Sequence, residues 1–338
     1  MGRKFLIVGL GSIGRRHMSN LAAAYPEASF TVLRHRPSSD RLCDRLGAHI
    51  VTDREEAIAG DHDLAVISSP SANHIDVLPG LIARGTNLLV EKPIVTNTHD
   101  CDLILDLLDS APPAVRVSGF NFRYLPSLQL IRDMIREGAL GTVVRAAFAA
   151  GQWLGDWRKG TDYRASYSAD AARGGGVELD LVHEIDVARW FFGDLDLRFA
   201  QAGRLSALGL KSNDVSVMVM SPPRQAGPIV QVTLDYVARQ RLRHYEIVGD
   251  KAAILWDIGG KVELVTPQGR QVLAEQPGGF DVGQTYIDMI SHIGAACETG
   301  GWPAPLQNLQ DGIASTRLAL AAREAGTPQG TGEGTESP

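Results

Sequence analysis

Asp180 and His183, three residues apart behind Gly174, Gly175 and Gly176, are the side chains best suited to move a proton in this 338-residue chain. A neutral imidazole titrates close to neutral pH and can take a hydroxyl proton or return it. A carboxylate beside it can orient or polarise the site. Lys92, in the tripeptide Glu91-Lys92-Pro93, is the third candidate. Its ammonium can donate to a reacting oxygen and stabilise developing negative charge. Each has a plain alternative. Lys92 taken alone reads as a surface lysine at a strand end. His183 reads as a satisfied polar residue bordering the core stripe of Leu181, Ile185, Ala188 and Phe192.

A metal site is not expected. At about 100° per helical residue, Asp186 lies about 240° round from Asp180, so Asp180, His183 and Asp186 do not converge. No second His or Cys cluster completes a ligand set.

These residues need elements to hold them. Residues 4–8, KFLIV, read as a buried strand, followed by GLGSIG and a helix through Ala24. Strands FTVLRHR, DLAVISSP, TNLLVEKP and AVRVSGF then alternate with helices at 53–60, in ANHIDVLPGLIARG and at 97–110. Continuous apolar strands alternating with helices imply a doubly wound parallel sheet covered on both faces. After residue 122 the pattern changes to closely spaced strands, of which DVSVMVM and IVQVTLDYV alternate apolar and polar residues. That implies a second, α+β domain with a mostly antiparallel sheet. The expected division is 1–122, a dinucleotide-binding domain; 123–307, a substrate-binding and oligomerisation domain; 308–325, a closing helix packing back on the first domain; and 326–338, a disordered tail.

Gly9, Gly11 and Gly14 form GxGxxG between a strand and a helix. The first glycine permits the tight turn and the second lets the backbone approach a pyrophosphate. The third lets helix and strand pack closely, and free N–H groups at the helix start face the anion. An acidic residue at the end of the second strand would bind the ribose 2′-hydroxyl of NAD. Arg34 and Arg36 stand there instead. An arginine can accept the 2′-phosphate of NADP, so the reading favours NADP over NAD, with Arg34 as the phosphate holder. SSPSANH (68–74) and EKP (91–93) end the next two strands, at the edge where such sheets bind ligands.

GLGSIGRRH, SSPSANH, EKP, GFNFRY and the GGG–Asp–His helix, in this order, resemble the glucose–fructose oxidoreductase / inositol dehydrogenase / rhizopine-catabolism family (Gfo/Idh/MocA) from residue 3 to 325. The resemblance implies an amino-terminal Rossmann domain and a second domain whose large open sheet builds a homodimer or homotetramer. It implies an NAD(P)-dependent oxidoreductase acting on a sugar, amino sugar, nucleotide sugar or cyclitol. Carried over, Gly9, Gly11, Ser12, Ile13 and Gly14 form the pyrophosphate loop. Ser69, Pro70, Asn73 and His74 border the cofactor, although His74 reads equally as a structural helix-start residue. Glu91 and Lys92 lie near nicotinamide, Asn121 and Arg123 line the cleft, and Lys92, Asp180 and His183 carry the chemistry. The chain departs from the family at one point: Asp and His usually stand four apart, whereas Asp180 and His183 are three apart.

The stretch QWLGDWRKGTDYRASY is dense in rings and hydroxyl-binding groups. Trp153, Trp157, Arg158 and Tyr163 are its candidate sugar contacts. Two rival functions stay open: a glycosidase that retains its cofactor and uses transient oxidation, and a non-catalytic dinucleotide sensor. Net charge is −6 with the two signs interspersed, which argues against nucleic acid as a partner. No apolar run approaches a membrane span, and the apolar start meets Arg15 and Arg16 rather than a signal-peptide cleavage site. Three scattered cysteines fit the reducing cytoplasm.

Overall fold

The computed structural model describes residues 2–157, 162–225 and 227–326. The expected tail therefore lies outside the described residues beyond Gly326.

Six strands form the first sheet: β1 (Lys4–Val8), β2 (Ser29–Leu33), β3 (His49–Val51), β4 (Leu64–Ile67), β5 (Leu88–Val90) and β6 (Arg116–Ser118). All pair in parallel, in the order β3-β2-β1-β4-β5-β6. β4 and β5 are buried at every residue, as both-faced cover requires. The cover includes helices α1 (Ser12–Ala24), α2 (Arg41–Leu46), α3 (Arg54–Ala59), α4 (Leu78–Ala83) and α5 (Thr98–Ser110). The strand order turns back between β1 and β4, so ligands are expected beyond the carboxyl ends of that pair.

ANHIDVLPGLIARG does not form one helix. A 3₁₀ segment, Ser71–Asp76, precedes α4, whose first turn holds Pro79. Proline lacks the N–H that a helix interior needs and fits the first turn.

α6 (Pro126–Arg136) carries the chain into an eight-stranded sheet. Its strands are β7 (Val143–Gly151), β8 (Asp196–Gly203), β9 (Val215–Ser221), β10 (Ile229–Asp235), β11 (Leu242–Gly249), β12 (Ala253–Asp257), β13 (Lys261–Thr266) and β14 (Gly269–Glu275). Their order is β14-β13-β12-β11-β7-β10-β9-β8, antiparallel throughout except for β7 with β10. β14 has no buried residue, hence no alternation by which its sequence could announce it.

One face of this sheet buries Phe148, Met218, Val232, Tyr245 and Trp256. Helices α7 (Val177–Asp180), α8 (His183–Phe192) and α10 (Leu309–Gly326) contact the sheet. α10 also touches α5 and β6, so it bridges both sheets rather than returning to the first alone. α9 (Val282–Thr299) follows the second sheet in sequence but packs on the first. Its Met289, Ile290 and Ile293 share a core with Phe5, Ile7 and Leu21.

Candidate active site

The glycine loop has the shape its sequence demands. Gly9 has φ +86°, and a Cβ there would strike the Ser69 backbone. A Cβ on Gly14 would strike the Gly9 carbonyl, whereas one on Gly11 would meet nothing within 4 Å. Gly9 and Gly14 are thus required by packing, and Gly11 leaves an open face against its backbone. No acidic side chain stands in the first turn of α1, and its N-cap, Gly11, supplies no side-chain bond. The N–H groups there suit an anion, so the residues present fit a dinucleotide pyrophosphate.

A cavity of about 950 Å³ opens over this loop. Gly9, Gly11, Ser12, Ile13, Ser69, Pro70, Glu91 and Lys92 line it from the first domain. Tyr167 and Arg173 close it from the second. It adjoins a cavity of about 290 Å³ that brings together Asn121, Asp180 and His183, and Lys92 and Trp157 border both. Another hollow of about 530 Å³, among β11–β14, holds none of the described candidate residues.

Glu91 is fixed by His17 of α1, Oε1 to Nε2 at 2.7 Å, so the EKP turn is pinned to the helix behind the glycine loop. The Lys92–Pro93 peptide is cis. Lys92 Nζ donates to the backbone oxygen of Asp180 at 2.8 Å. Burial pulls its pKa below the usual lysine value, although Asp180 and Glu91 oppose the shift.

The helix expected across the stretch is broken: α7 ends at Asp180, Leu181 leaves helical geometry at φ −104°, ψ 32°, and α8 begins at His183. The amide of Glu184 turns to the carbonyl of Leu181, at 3.4 Å, instead of that of Asp180 four residues back. The carbonyl of Asp180 is the one that receives Lys92. The break still leaves Asp180 and His183 on one cavity.

His183 is 7% exposed. Its ring stacks on Phe122 at 4.4 Å and 10°, with the edge of Phe120 at 5.8 Å. Nδ1 is buried without a hydrogen-bond partner among the described residues. Burial, then the charges of Lys92 and Arg243, push its pKa well below the ordinary histidine value. The imidazole is therefore neutral near pH 7 and able to accept a proton.

Each acid of the stretch has a separate partner. Asp180 Oδ2 accepts from Tyr236 Oη at 2.6 Å, and Glu178 from Asn213 at 2.9 Å. Glu184 meets Arg243 at 2.8 Å and Tyr245 Oη at 3.0 Å. Asp186 holds Arg123 through two bonds of 2.8 and 2.9 Å. Among the described residues, no group of three or more His, Cys, Asp or Glu could hold a metal ion.

Several expected contacts fall elsewhere. Arg123 does not line either cavity: it is buried under α8 between Asp186 and Asp311, because a buried guanidinium requires carboxylates. His74 is fully buried, with Nδ1 2.9 Å from the Ile94 carbonyl and Nε2 3.0 Å from that of Ser69, so it braces the turn from behind. Asn73 faces outward and bonds Asp76 at 3.3 Å. Trp153 lies under the Arg239 guanidinium at 3.7 Å, and Tyr163 Oη donates to Leu208 at 3.3 Å. Neither lines the two cavities. Arg158 lies outside the described residues. Arg34 donates to the Ser38 carbonyl at 3.1 Å and stands 3.7 Å from Asp40.

Sequence reasoning passed over Arg16, Arg173, Arg243 and Tyr286, all of which line the cavities. Arg243 carried a readable signal: it shares the inward face of β11 with Tyr245 and Ile247, where a charge needs a reason. Tyr286 comes from α9, and nothing local announces it.

The buried imidazoles also set a pH dependence. His74 and His183 both have depressed pKa values, burial being the largest cause. In the unfolded chain they titrate near 6.5. Below that pH the unfolded state binds protons that the fold excludes, so stability falls as pH drops from about 6.5 towards the folded pKa values; above it these groups contribute no slope. Tm measured from pH 8 down to 5 is expected to fall through this window. His183→Gln should flatten the fall, and an unchanged slope would exclude His183 as a contributor.

A parallel six-stranded sheet with a glycine loop at its switch point, joined to a second domain that supplies an imidazole, defines a two-domain nucleotide-dependent oxidoreductase. Residues 3–118 match the Gfo/Idh/MocA oxidoreductase family, NAD-binding Rossmann fold, and residues 128–255 match the GFO/IDH/MocA C-terminal domain. The chain belongs to this family and is a dehydrogenase acting on CH–OH groups.

Its relatives include an inositol 2-dehydrogenase of Rhizobium meliloti, 23% identical over 94% of this chain and 95% of that protein. The rhizopine catabolism protein MocA of Rhizobium meliloti is 30% identical over 145 residues, 43% of this chain and 42% of that protein. A levoglucosan dehydrogenase in complex with NADH shares the fold with a TM-score of 0.82 at 18% identity, covering 96% and 97% of the two chains.

Proposed function

We propose that this protein transfers a hydride between a nicotinamide cofactor and a hydroxyl-bearing carbon of a sugar or cyclitol. The observation that carries the reading is the meeting of Lys92 and His183 at the junction of a dinucleotide-sized cavity and a small polar one. The nicotinamide, when bound, supplies the hydride acceptor or donor. Neutral His183 takes the hydroxyl proton, or returns it in reduction. Lys92 donates to the reacting oxygen, and the Asp180 carbonyl holds its ammonium in place. Asp180, fixed by Tyr236, polarises the site. Asn121, held by Thr285 at 2.7 Å, Trp157 and Arg243 offer a substrate hydrogen-bonding groups and a ring face. The inositol and levoglucosan dehydrogenases among the relatives support a polyol substrate. A sensor of dinucleotides has no use for this convergence. Absorbance of NAD(P)H followed across sugars, amino sugars, nucleotide sugars and cyclitols tests the reading. Turnover on at least one is expected, and binding of cofactor without turnover on any would overturn it.

Asp40 bears on the choice between NAD and NADP. This carboxylate is buried, caps α2 by accepting from Leu42 at 2.9 Å, and is held by Arg15 at 3.0 Å. It also faces Arg34. A 2′-phosphate reaching Arg34 would meet this negative charge, which favours NAD over NADP. The NAD-binding description of the family's first domain agrees.

A second copy of the chain is the proposed cover for the outer face of the eight-stranded sheet. Ile229 and Phe199 are exposed there by 61 and 55%, and Val217 and Val219 lie on the same face. Apolar surface of this kind marks an interface. Light scattering is expected to report a dimer or tetramer, and Ile229→Asp to lower its mass; a monomeric wild type would exclude the interface. Cys43, Cys101 and Cys297 are free thiols, which supports a reducing, cytoplasmic setting. No helix among the described residues is long and apolar enough to cross a membrane.

A further inference from the structure

Arg116 lies on β6, the edge strand of the first sheet, away from the nucleotide cleft. The residue is 8% exposed, and its guanidinium has no carboxylate within ion-pair distance among the described residues. Nη2 donates to the carbonyls of Pro112 at 2.8 Å and Ile82 at 3.2 Å. Nε is buried with no partner, and Nη1 makes no hydrogen bond among the described residues. Burial alone acts on its charge, pulling its pKa below the ordinary arginine value. Two carbonyls explain where one nitrogen points. They do not supply the anion that a buried cation ordinarily has.

Arg116 also lines a cavity of about 290 Å³, together with Leu108, Ala114, Trp302, Asn308 and Gln310. Asn308 and Gln310 flank the start of α10, an 18-residue helix whose positive dipole end is therefore at this cavity; the acid of its first turn, Asp311, is engaged by Arg123 at 3.0 Å and Arg189 at 2.8 Å. Asn308 Oδ1 caps the helix through the amide of Asp311 at 2.7 Å. The cavity shares no lining residue with the nucleotide and substrate cavities.

We propose that this cavity is a second ligand site, taking a small oxyanion of the carboxylate or phosphate type between Arg116 and the amino end of α10. A planar guanidinium with unspent N–H groups matches such an anion in geometry as well as charge. Trp302, 44% exposed, walls the opening and spends its indole N–H on the Leu306 carbonyl, leaving the anion to Arg116 and the helix end.

The test is thermal unfolding of the full chain with NADH present, so that the nucleotide cleft is occupied. Inorganic phosphate and succinate are each titrated against chloride at matched ionic strength. A saturable rise in Tm of at least about 2 °C beyond chloride is expected from one or both. The arm that responds identifies phosphate or carboxylate as the preferred group. Gln310→Glu places a carboxylate at the cavity and is expected to raise Tm without added anion while abolishing the response. Arg116→Met is expected to abolish it as well. Gln310→Glu decides the matter if the methionine variant does not fold. A wild-type response no larger than that to chloride, or a full response retained in Gln310→Glu, overturns the proposal.

Discussion

Lys92→Met and His183→Gln are each expected to lower kcat by about 10²–10⁴-fold, the range that a positioned acid or base contributes, while NADH still binds. The reason lies in how the two side chains are held. Among the described residues the Lys92 ammonium makes one hydrogen bond, to the Asp180 carbonyl, and it otherwise faces the junction of two cavities. Methionine keeps the apolar stem and removes the donor. His183 is stacked on Phe122 and kept neutral by burial and by the nearby cations. Glutamine keeps a polar group but cannot act as a base near pH 7. The glycine loop is untouched in both variants, so fluorescence titration with NADH should report nearly native affinity. Near-normal turnover in both variants would sink the assignment. Loss of NADH binding together with turnover would show that the damage is to the fold instead.

Asp40→Asn is expected to turn cofactor preference towards NADPH by about 10–100-fold, the scale of one or two charge-assisted hydrogen bonds gained. In the native chain the carboxylate occupies Arg15 and stands beside Arg34. Its pKa is lowered mainly by the Arg15 bond, so it is fully charged at neutral pH. Asparagine retains an oxygen for the α2 cap and removes the charge that repels a 2′-phosphate. NADPH affinity should rise while NADH affinity changes little. An equal change for both cofactors would mean that Asp40 and Arg34 are not at the 2′-position. The wild type should prefer NADH; tighter NADPH binding would overturn that reading directly.

Local chemistry made much of this protein legible in its sequence. A glycine at φ +86° and another against a neighbouring carbonyl are steric requirements, so Gly9 and Gly14 could be read as a loop from their spacing and flanks. Continuous apolar runs fixed the parallel sheet, and alternation fixed β9 and β10, because strand burial has a period of two. Lys92, Asp180 and His183 were readable as chemical groups in the right order.

Whether they meet was a matter for the tertiary structure. Arg123 and Asp40 show why: the same guanidinium or carboxylate serves a ligand or a neighbour according to which opposite charge lies within about 4 Å. Those neighbours, Asp311 and Arg15, are distant in sequence. Tyr286 reaches the cleft only because α9 returns to the first sheet. Motifs in their order pointed to the kind of protein and to its candidate reacting groups. The break between Asp180 and His183, the carbonyl it offers Lys92, and the partner given to each buried charge were decided by packing, because hydrogen bonds and ion pairs depend on distance in space and carry no signature along the chain.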